Sequence, residues 1–139
     1  SSKLHFDAFY LTIIIPIKTP LNPDKGTDAS LILYPKIRKI ASNSLFNYIT
    51  KFLIQNSLTR YFIKRGFVNR ILKSKTVVAE KDKLLIFYGY RSLHGNVALK
   101  NKNLKAHSIF HVYNPHQNSK LDKFIFRRNE RIRKNKLLN

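Results

Sequence analysis

Three histidines near the end of the chain come closest, by residue type and spacing, to a catalytic or metal-binding pattern. They are His107, His111 and His116. His107 and His111 are four residues apart, and on a helix two such imidazoles could bind one metal ion. The β-branched and aromatic residues between them favour a strand instead, with both rings on one face about two pleats apart. No carboxylate lies near them in the sequence. We therefore interpret them as surface imidazoles and expect no metal.

Paired carboxylates, which general acid–base and two-metal chemistry require, are scarce. Asp24 and Asp28 fall in one loop, and Glu80 and Asp82 in one turn, where we interpret them as turn or cap formers. The sequence has no cysteine, which excludes thiolate catalysis, disulfides and cysteine-based zinc sites. An HNH-like nuclease, suggested by the histidines of the run 111–116, stays open as an alternative. Otherwise we expect no enzymatic activity and no cofactor.

The charge of the chain is its strongest functional signal. Twenty-seven Lys and Arg stand against seven Asp and Glu in 139 residues, giving a formal net charge of +20. Such an excess destabilises a compact domain by self-repulsion unless a polyanion neutralises it. Nucleic acid is the commonest such partner, because cations that neutralise phosphates release condensed counterions.

Composition places the chain among folded proteins. Hydrophobic residues make up 43% and aromatic residues 12%, which is enough for a core, and the length suits one domain. No apolar run approaches the length of a membrane span. The excess of Lys, Asn, Ile, Phe and Tyr is typical of AT-rich coding, as found in mitochondrial genomes and in some protist and yeast nuclei, although that bias does not explain the scarcity of Asp and Glu. Position 1 is not Met, which is expected of a processed or trimmed N-terminus.

Local patterns predict an α+β fold. Residues 9–17 read as a buried strand with Pro16 near its end or at an edge, and 31–34 as a short second strand. Residues 76–79 and 84–90 are strand-like, with a four-residue hairpin loop between them. The segment 91–107 reads as an extended basic loop, and 108–113 as a further strand.

The region 36–74 has helical periodicity. Ser42 or Ser44 is expected to cap a first helix with one apolar face, made by Leu45, Tyr48, Ile49, Phe52 and Leu53. Ser57 is expected to cap a second helix that ends at Gly66, and a short third piece follows with Phe67, Ile71 and Leu72.

Residues 119–139 are predicted to form a basic C-terminal extension of a single core domain spanning 1–118. The apolar residues Leu121, Phe124 and Ile125 are expected to dock the start of a helix, which then projects. A block of like charge is either an interaction tail or a solubilising one, and we favour the first. Phosphate contacts of this kind fix position without reading base sequence.

Cations in four segments form the predicted RNA-binding set. Its members are Arg60, Lys64, Arg65, Arg70, Lys73, Arg91, Lys100, Lys102, Lys105, Arg127, Arg128, Arg131, Arg133, Lys134 and Lys136. Aromatic residues alternate with cations in 60–67 and 87–91, where exposed rings could stack on unpaired bases. At strand or helix spacing such rings are more often part of a core.

Two short segments resemble ribosomal protein families. The run 67–73, followed by Lys75 and Ala79-Glu80, resembles the first helical motif of the S-seven family of the small-subunit head, with one residue fewer and without its Gly. The run 90–95, Tyr-Arg-Ser-Leu-His-Gly, resembles a segment of the S-thirteen family, without the Gly-Gln-Arg-Thr run that follows there. No functional residue is carried over from either family.

The whole profile resembles a mitochondrial ribosomal protein. This resemblance implies a structural constituent of the ribosome in the mitochondrial matrix, with the small subunit slightly favoured. Its expected partners are ribosomal RNA and neighbouring ribosomal proteins, with no small-molecule substrate and no membrane span. The alternatives are a free RNA- or DNA-binding maturation factor and a basic accessory subunit of a respiratory complex.

Overall fold

The computed structural model describes residues 4–19, 30–56, 59, 61, 72–97 and 105–138, without the side chains of 136–138. Six strands and two helices lie within these ranges. In chain order they are β1 (Leu11–Lys18), β2 (Leu31–Tyr34), α1 (Ser44–Gln55), β3 (Lys75–Val77), β4 (Leu85–Phe87), β5 (Leu93–Asn96), β6 (Ala106–Val112) and α2 (Lys120–Leu138).

The strands form two antiparallel sheets of three, ordered β4-β1-β6 and β3-β2-β5. The mixed α+β class predicted from the sequence is confirmed. β1 is paired on both sides only at residues 12–14, so Pro16 lies in the part that pairs with β6 alone. That position suits a residue without an N–H group, because only one edge of the strand is hydrogen-bonded there.

The two faces of β2 belong to two apolar clusters. Leu31 and Leu33 face Ile14 of β1 and Phe87 of β4, so this cluster joins the two sheets. Tyr34, on the opposite face, packs with three residues outside β2, Leu4, Phe6 and Leu93. Each fully buried side chain of this size stabilises the fold by about 1.5–3 kcal/mol. β2, the middle strand of the second sheet, therefore contributes side chains to both apolar clusters.

The hairpin predicted over 76–90 is wrong. Its turn is present, with Asp82 at a φ of 64° and Lys83 N–H donating to the Glu80 carbonyl at 3.4 Å. The flanking strands do not pair with each other, because β3 pairs with β2 and β4 pairs with β1. The turn thus carries the chain from one sheet to the other. The extended loop predicted over 91–107 is also wrong in part, since β5 forms there and pairs with β2.

α1 forms where the periodicity predicts a helix, but its cap and its packing differ. Asn43, and not Ser42 or Ser44, is the N-cap, and its side chain accepts a hydrogen bond from Phe46 N–H at 2.9 Å. The predicted apolar face points away from the protein body. Phe52 is 74% exposed, and Leu45, Ile49 and Leu53 are exposed with it, whereas the fifth predicted member, Tyr48, is half-buried.

The side of α1 that packs is its polar one. Ser44 and Asn47 are buried, and Tyr48, Lys51 and Ile54 are half-buried. Positions 44, 47, 51 and 54 follow one another at intervals of three or four, and Tyr48 lies four residues after Ser44, so all five share one helix face. The second and third helical pieces predicted from Ser57 onward lie mostly outside the described residues. Within the described ranges, no helix is both long and apolar enough to cross a bilayer.

Candidate nucleic-acid interface

The first turn of α2 is fixed to the body by hydrogen bonds around one buried carboxylate. Asp122 is 7% exposed and accepts from the Tyr48 hydroxyl at 2.8 Å and from the Asn114 side-chain amide. Its own N–H donates to Ser119 Oγ at 3.0 Å, which caps the helix. The Ser119 hydroxyl in turn donates to Ser44 Oγ of α1 at 2.7 Å.

The predicted docking of α2 by apolar residues therefore needs correction. Leu121 and Ile125 are half-buried, but Phe124 is 66% exposed and does not act as an anchor. Beyond Ile125, each side chain from 126 to 135 is exposed except that of Glu130, which is intermediate. The helix thus docks at its start and then projects, as the sequence indicates.

Five exposed cations form a stripe along α2. Successive members are three or four residues apart, so they share one face: Lys120, Lys123, Arg127, Arg131 and Lys134. The stripe spans about 21 Å at 1.5 Å per residue. Glu130 lies beside it, 3.9 Å from Lys134 Nζ, and is the one acidic residue of α2 after Asp122. Lys120 and Lys123 extend the predicted set, and their helical spacing was the signal that could have identified them.

The structure describes the side chains of eight of the fifteen cations that are predicted to bind RNA. Arg127, Arg128, Arg131, Arg133 and Lys134 are exposed on α2, and Lys73 is exposed at the end of a helical turn before β3. Arg91 and Lys105 are half-buried. The side chain of Lys136 and all of Arg60, Lys64, Arg65, Arg70, Lys100 and Lys102 lie outside the described residues.

Arg91 and Lys105 are partly engaged within the protein. Arg91 Nε donates to the Arg38 carbonyl at 3.1 Å, and Lys105 Nζ donates to Asn96 Oδ1 at 3.2 Å. Burial also lowers the pKa of Lys105. Both are therefore less available to phosphates than the α2 stripe.

Arg38 is a half-buried cation that the sequence analysis missed. Its guanidinium lies between the rings of Phe6 and Tyr90, 4.2 Å from each centroid. It donates to the Tyr90 carbonyl at 2.6 Å and to Asn47 Oδ1 at 3.0 Å. Burial lowers its pKa, although the guanidinium remains charged at any physiological pH.

Lys51 is a second half-buried cation near Arg38. Burial lowers the pKa of its ammonium to about 8, and the charge of Arg38 acts in the same direction. The charges of Asp7 and Asp122 act in the opposite direction but do not cancel this shift. Among the described residues, Lys51 has no hydrogen bond or ion pair.

The aromatic residues near the cations divide between core and surface. Phe87 is 7% exposed and Tyr90 is fully buried, so both are core residues. Tyr88 and Tyr61 are exposed. Tyr88 also has Lys36 Nζ 5.5 Å from its ring centroid, so its face is partly covered by a cation.

The histidines of the C-terminal third are not brought together. His107 and His111 lie on β6, as the strand prediction requires, opposite Pro16 and Thr12 of β1. His116 is buried, with Nε2 3.0 Å from the Tyr90 hydroxyl, and the prediction of a surface imidazole is wrong for it. Burial lowers the pKa of both His107 and His116.

A different trio could hold a metal ion, made by His5, Asp7 and His94. Burial raises the pKa of Asp7, but the hydrogen bond and charge of His94 outweigh it, with help from Thr12 and His111, and hold that pKa at about 2. Gly89 lies directly against this carboxylate, and a Cβ there would collide with both Asp7 and Thr12. The wide separation of its members in the sequence concealed this trio.

Comparison of the chain with protein-family models, curated proteins and solved structures gives no match.

Proposed function

We propose that this protein is a structural constituent of a mitochondrial ribosome, in its small subunit, and binds ribosomal RNA through phosphate contacts without enzymatic activity. The observation that supports this most is the α2 stripe of five exposed cations. It belongs to a chain with a net charge of +20. Lys and Arg on a projecting helix suit the backbone of a folded RNA, because phosphate contacts position a protein without requiring a base sequence.

The ribosomal and mitochondrial parts of the proposal rest on the whole-chain profile. A small α+β domain with a basic helical extension is the architecture expected of a ribosomal protein, and the residue bias is typical of AT-rich mitochondrial coding. The docked start of α2 adds a physical reason for the extension. A helix fixed by Asp122 and Tyr48 presents its cations in a defined direction, whereas a loose tail would lose conformational freedom on binding.

The first experiment measures how the affinity for a structured RNA depends on salt. In the variant Arg127→Gln, Arg131→Gln, Lys134→Gln, three members of the stripe lose their charge. Each lost phosphate contact removes about 0.7–0.9 from the slope of log affinity against log salt. We expect the slope to become shallower by about two to three units, as measured by filter binding or fluorescence anisotropy.

A matched control removes the same charge elsewhere. Lys39, Lys81 and Lys83 are exposed and lie away from α2 in the sequence, and their change to Gln lowers the net charge by the same three units. This control should leave the slope nearly unchanged. Equal slopes for the two triple variants would show that RNA responds to net charge alone and would contradict a binding face on α2.

Co-sedimentation with mitochondrial ribosomal particles at high salt tests the ribosomal assignment. A constituent should remain with the small subunit when loosely held proteins are washed off. Release at moderate salt, with RNA binding retained, would favour a free maturation factor. Preference for anionic vesicles over RNA in a competition assay would favour the accessory subunit of a respiratory complex.

A further inference from the structure

The N-terminal segment lies against β5 through two histidines that face each other. His5 N–H donates to the His94 carbonyl at 2.9 Å, and His94 N–H donates to the His5 carbonyl at 3.0 Å. This hydrogen-bonded antiparallel pair fixes the two backbones side by side. The two imidazole rings therefore lie close together, with centroids 4.4 Å apart.

Asp7 completes a cluster of three metal-ligating groups. One carboxylate oxygen lies 3.7 Å from His5 Nε2, and the other lies 3.4 Å from His94 Nε2. All three candidate ligand atoms lie within 4.8 Å of one another. Zinc bonds of about 2.0–2.1 Å in tetrahedral geometry place neighbouring ligand atoms about 3.4 Å apart. Small side-chain adjustments would therefore suffice for one ion.

The surroundings of His94 orient it as a metal ligand. Its Nδ1 lies 3.0 Å from the Ser92 carbonyl, which can only accept, so Nδ1 carries a proton. Nε2, on the other side of the ring, points at the Asp7 carboxylate. A histidine held by a backbone carbonyl in this way is the usual arrangement around a bound zinc ion. The ring is only 5% exposed, and Phe87 packs edge-on against it at 4.8 Å.

The carboxylate is held by its own neighbours. The Thr12 hydroxyl donates to the Asp7 carboxylate, and Asp7 N–H donates to the Gly89 carbonyl at 3.1 Å. The absence of a side chain at Gly89 leaves room for the carboxylate. Supporting contacts of this kind fix a ligand before the ion arrives.

We propose that His5, Asp7 and His94 bind one zinc ion, which fastens the N-terminal segment to β5. Two nitrogen ligands and one oxygen ligand suit zinc, whereas magnesium prefers an all-oxygen site. The His5 side chain is 47% exposed, so the ion enters from its side and keeps a water as fourth ligand. A zinc ion here would contradict the sequence-based expectation that the protein binds no metal, which rests on the histidines after residue 106.

The experiment uses the untagged chain and Zn²⁺ as the probe. Equilibrium dialysis with metal analysis should show one zinc ion per chain, and zinc should raise the midpoint of thermal unfolding, because it binds the folded state. Mg²⁺ at the same concentration should do neither. The variants His5→Ala and Asp7→Asn should lose the ion. His5 is half exposed, and the Asn amide oxygen can still accept from Thr12, so both should keep the circular dichroism spectrum of the parent.

The control variant is His107→Ala, which removes a histidine outside the trio and should bind zinc as the parent does. Stoichiometric uptake by the parent, lost in folded His5→Ala and kept in His107→Ala, supports the site. No uptake by the parent would mean that the trio is only a histidine–carboxylate ion pair, and would overturn the proposal. Equal uptake by His5→Ala and the parent would also overturn it.

Discussion

At the scale of single residues, two half-buried cations, Arg38 before α1 and Lys51 within it, have no carboxylate partner among the described residues. Arg38 is compensated by ring faces and by carbonyl and amide oxygens. Lys51 has no such contacts there, which is why burial lowers its pKa to about 8. A cation in this position costs stability as long as it is protonated.

Replacing Lys51 by Met should remove this cost. In the unfolded chain Lys51 titrates near 10.5, and in the folded protein near 8. Between these pH values the unfolded state binds more protons, so the stability of the parent should rise with pH, and below pH 8 the full cost remains. The variant should raise the free energy of unfolding at pH 7 on the order of 1 kcal/mol and should lose this part of the pH dependence.

Urea unfolding at pH 7 and pH 10 measures both effects. Lys39→Met is the control, because Lys39 is exposed and its charge is already solvated. A destabilising effect of Lys51→Met at pH 7 would mean that the ammonium has a compensating partner in the folded chain, contrary to its described surroundings.

The residue types that the sequence identifies correctly are those whose role depends on local structure. Glu80 and Asp82 lie in the predicted turn, where Glu80 also forms an ion pair with Lys83 at 2.5 Å. Asp7 and His94 could not be paired from the sequence, because 86 intervening residues must fold before they meet. The sequence predicts His116 at the surface, because Tyr90, whose hydroxyl contacts the imidazole, lies 26 positions away in the chain.

At the scale of elements, five of the six described strands could be predicted, but β5 and the pairing could not. β-branched and aromatic runs identify β1, β2, β3, β4 and β6 from local composition, whereas β5 lies in the segment predicted as an extended loop. Pairing depends on which faces are buried together, and that is a property of both sheets. Leu31 and Leu33 are buried against Phe87, so β4 must lie in the facing sheet and cannot pair with β3.

α1 shows why helical periodicity predicts an element more reliably than its orientation. The apolar stripe through Ile49 and Phe52 predicts a helix correctly, but the opposite stripe contacts the body. Polar contacts explain this choice. Asn47 accepts from Arg38, and Tyr48 donates to Asp122, so these side chains are satisfied only if their face points inward.

A pair of variants in α1 tests its orientation. Phe52→Ser changes a side chain that is 74% exposed and should alter the free energy of unfolding by no more than about 0.5 kcal/mol. Ile54→Ala removes a half-buried side chain that packs against Leu4 and its cluster, and should cost about 1–2 kcal/mol. Thermal or urea unfolding of both variants decides the matter. The reverse order of effects would mean that the apolar stripe is the buried one.

At the scale of the whole molecule, the net charge of +20 opposes folding, and α2 holds a large share of it in its projecting part. Self-repulsion between these cations and the body weakens when salt screens it or when a polyanion binds. A chain of this kind gains stability from the partner that its charge attracts, because the partner binds the folded state more tightly.

Truncation after Phe126 tests how the projecting part of α2 contributes to folding and to binding. It removes six cations and one anion and lowers the formal net charge from +20 to +15. Asp122 and its contacts with Tyr48 and Asn114 remain, so the first turn should stay docked. At low salt we expect the thermal midpoint of the truncated chain to equal or exceed that of the parent, because the charges of the chain repel one another less and none of the described side chains that are removed is buried.

The same truncated chain should assemble poorly into small-subunit particles, since it lacks Arg127, Arg131 and Lys134 of the stripe. Reconstitution with ribosomal RNA followed by gradient sedimentation measures this. Normal assembly would mean that the projecting part of α2 only increases solubility. The binding face would then have to include Lys73 and the other basic segments. A fall in thermal midpoint at low salt would show instead that the distal half of α2 packs on the body, contrary to the exposure of residues 126–129 and 131–135. Poor assembly with an equal or higher midpoint is the result that separates binding from folding, and it is the one we expect.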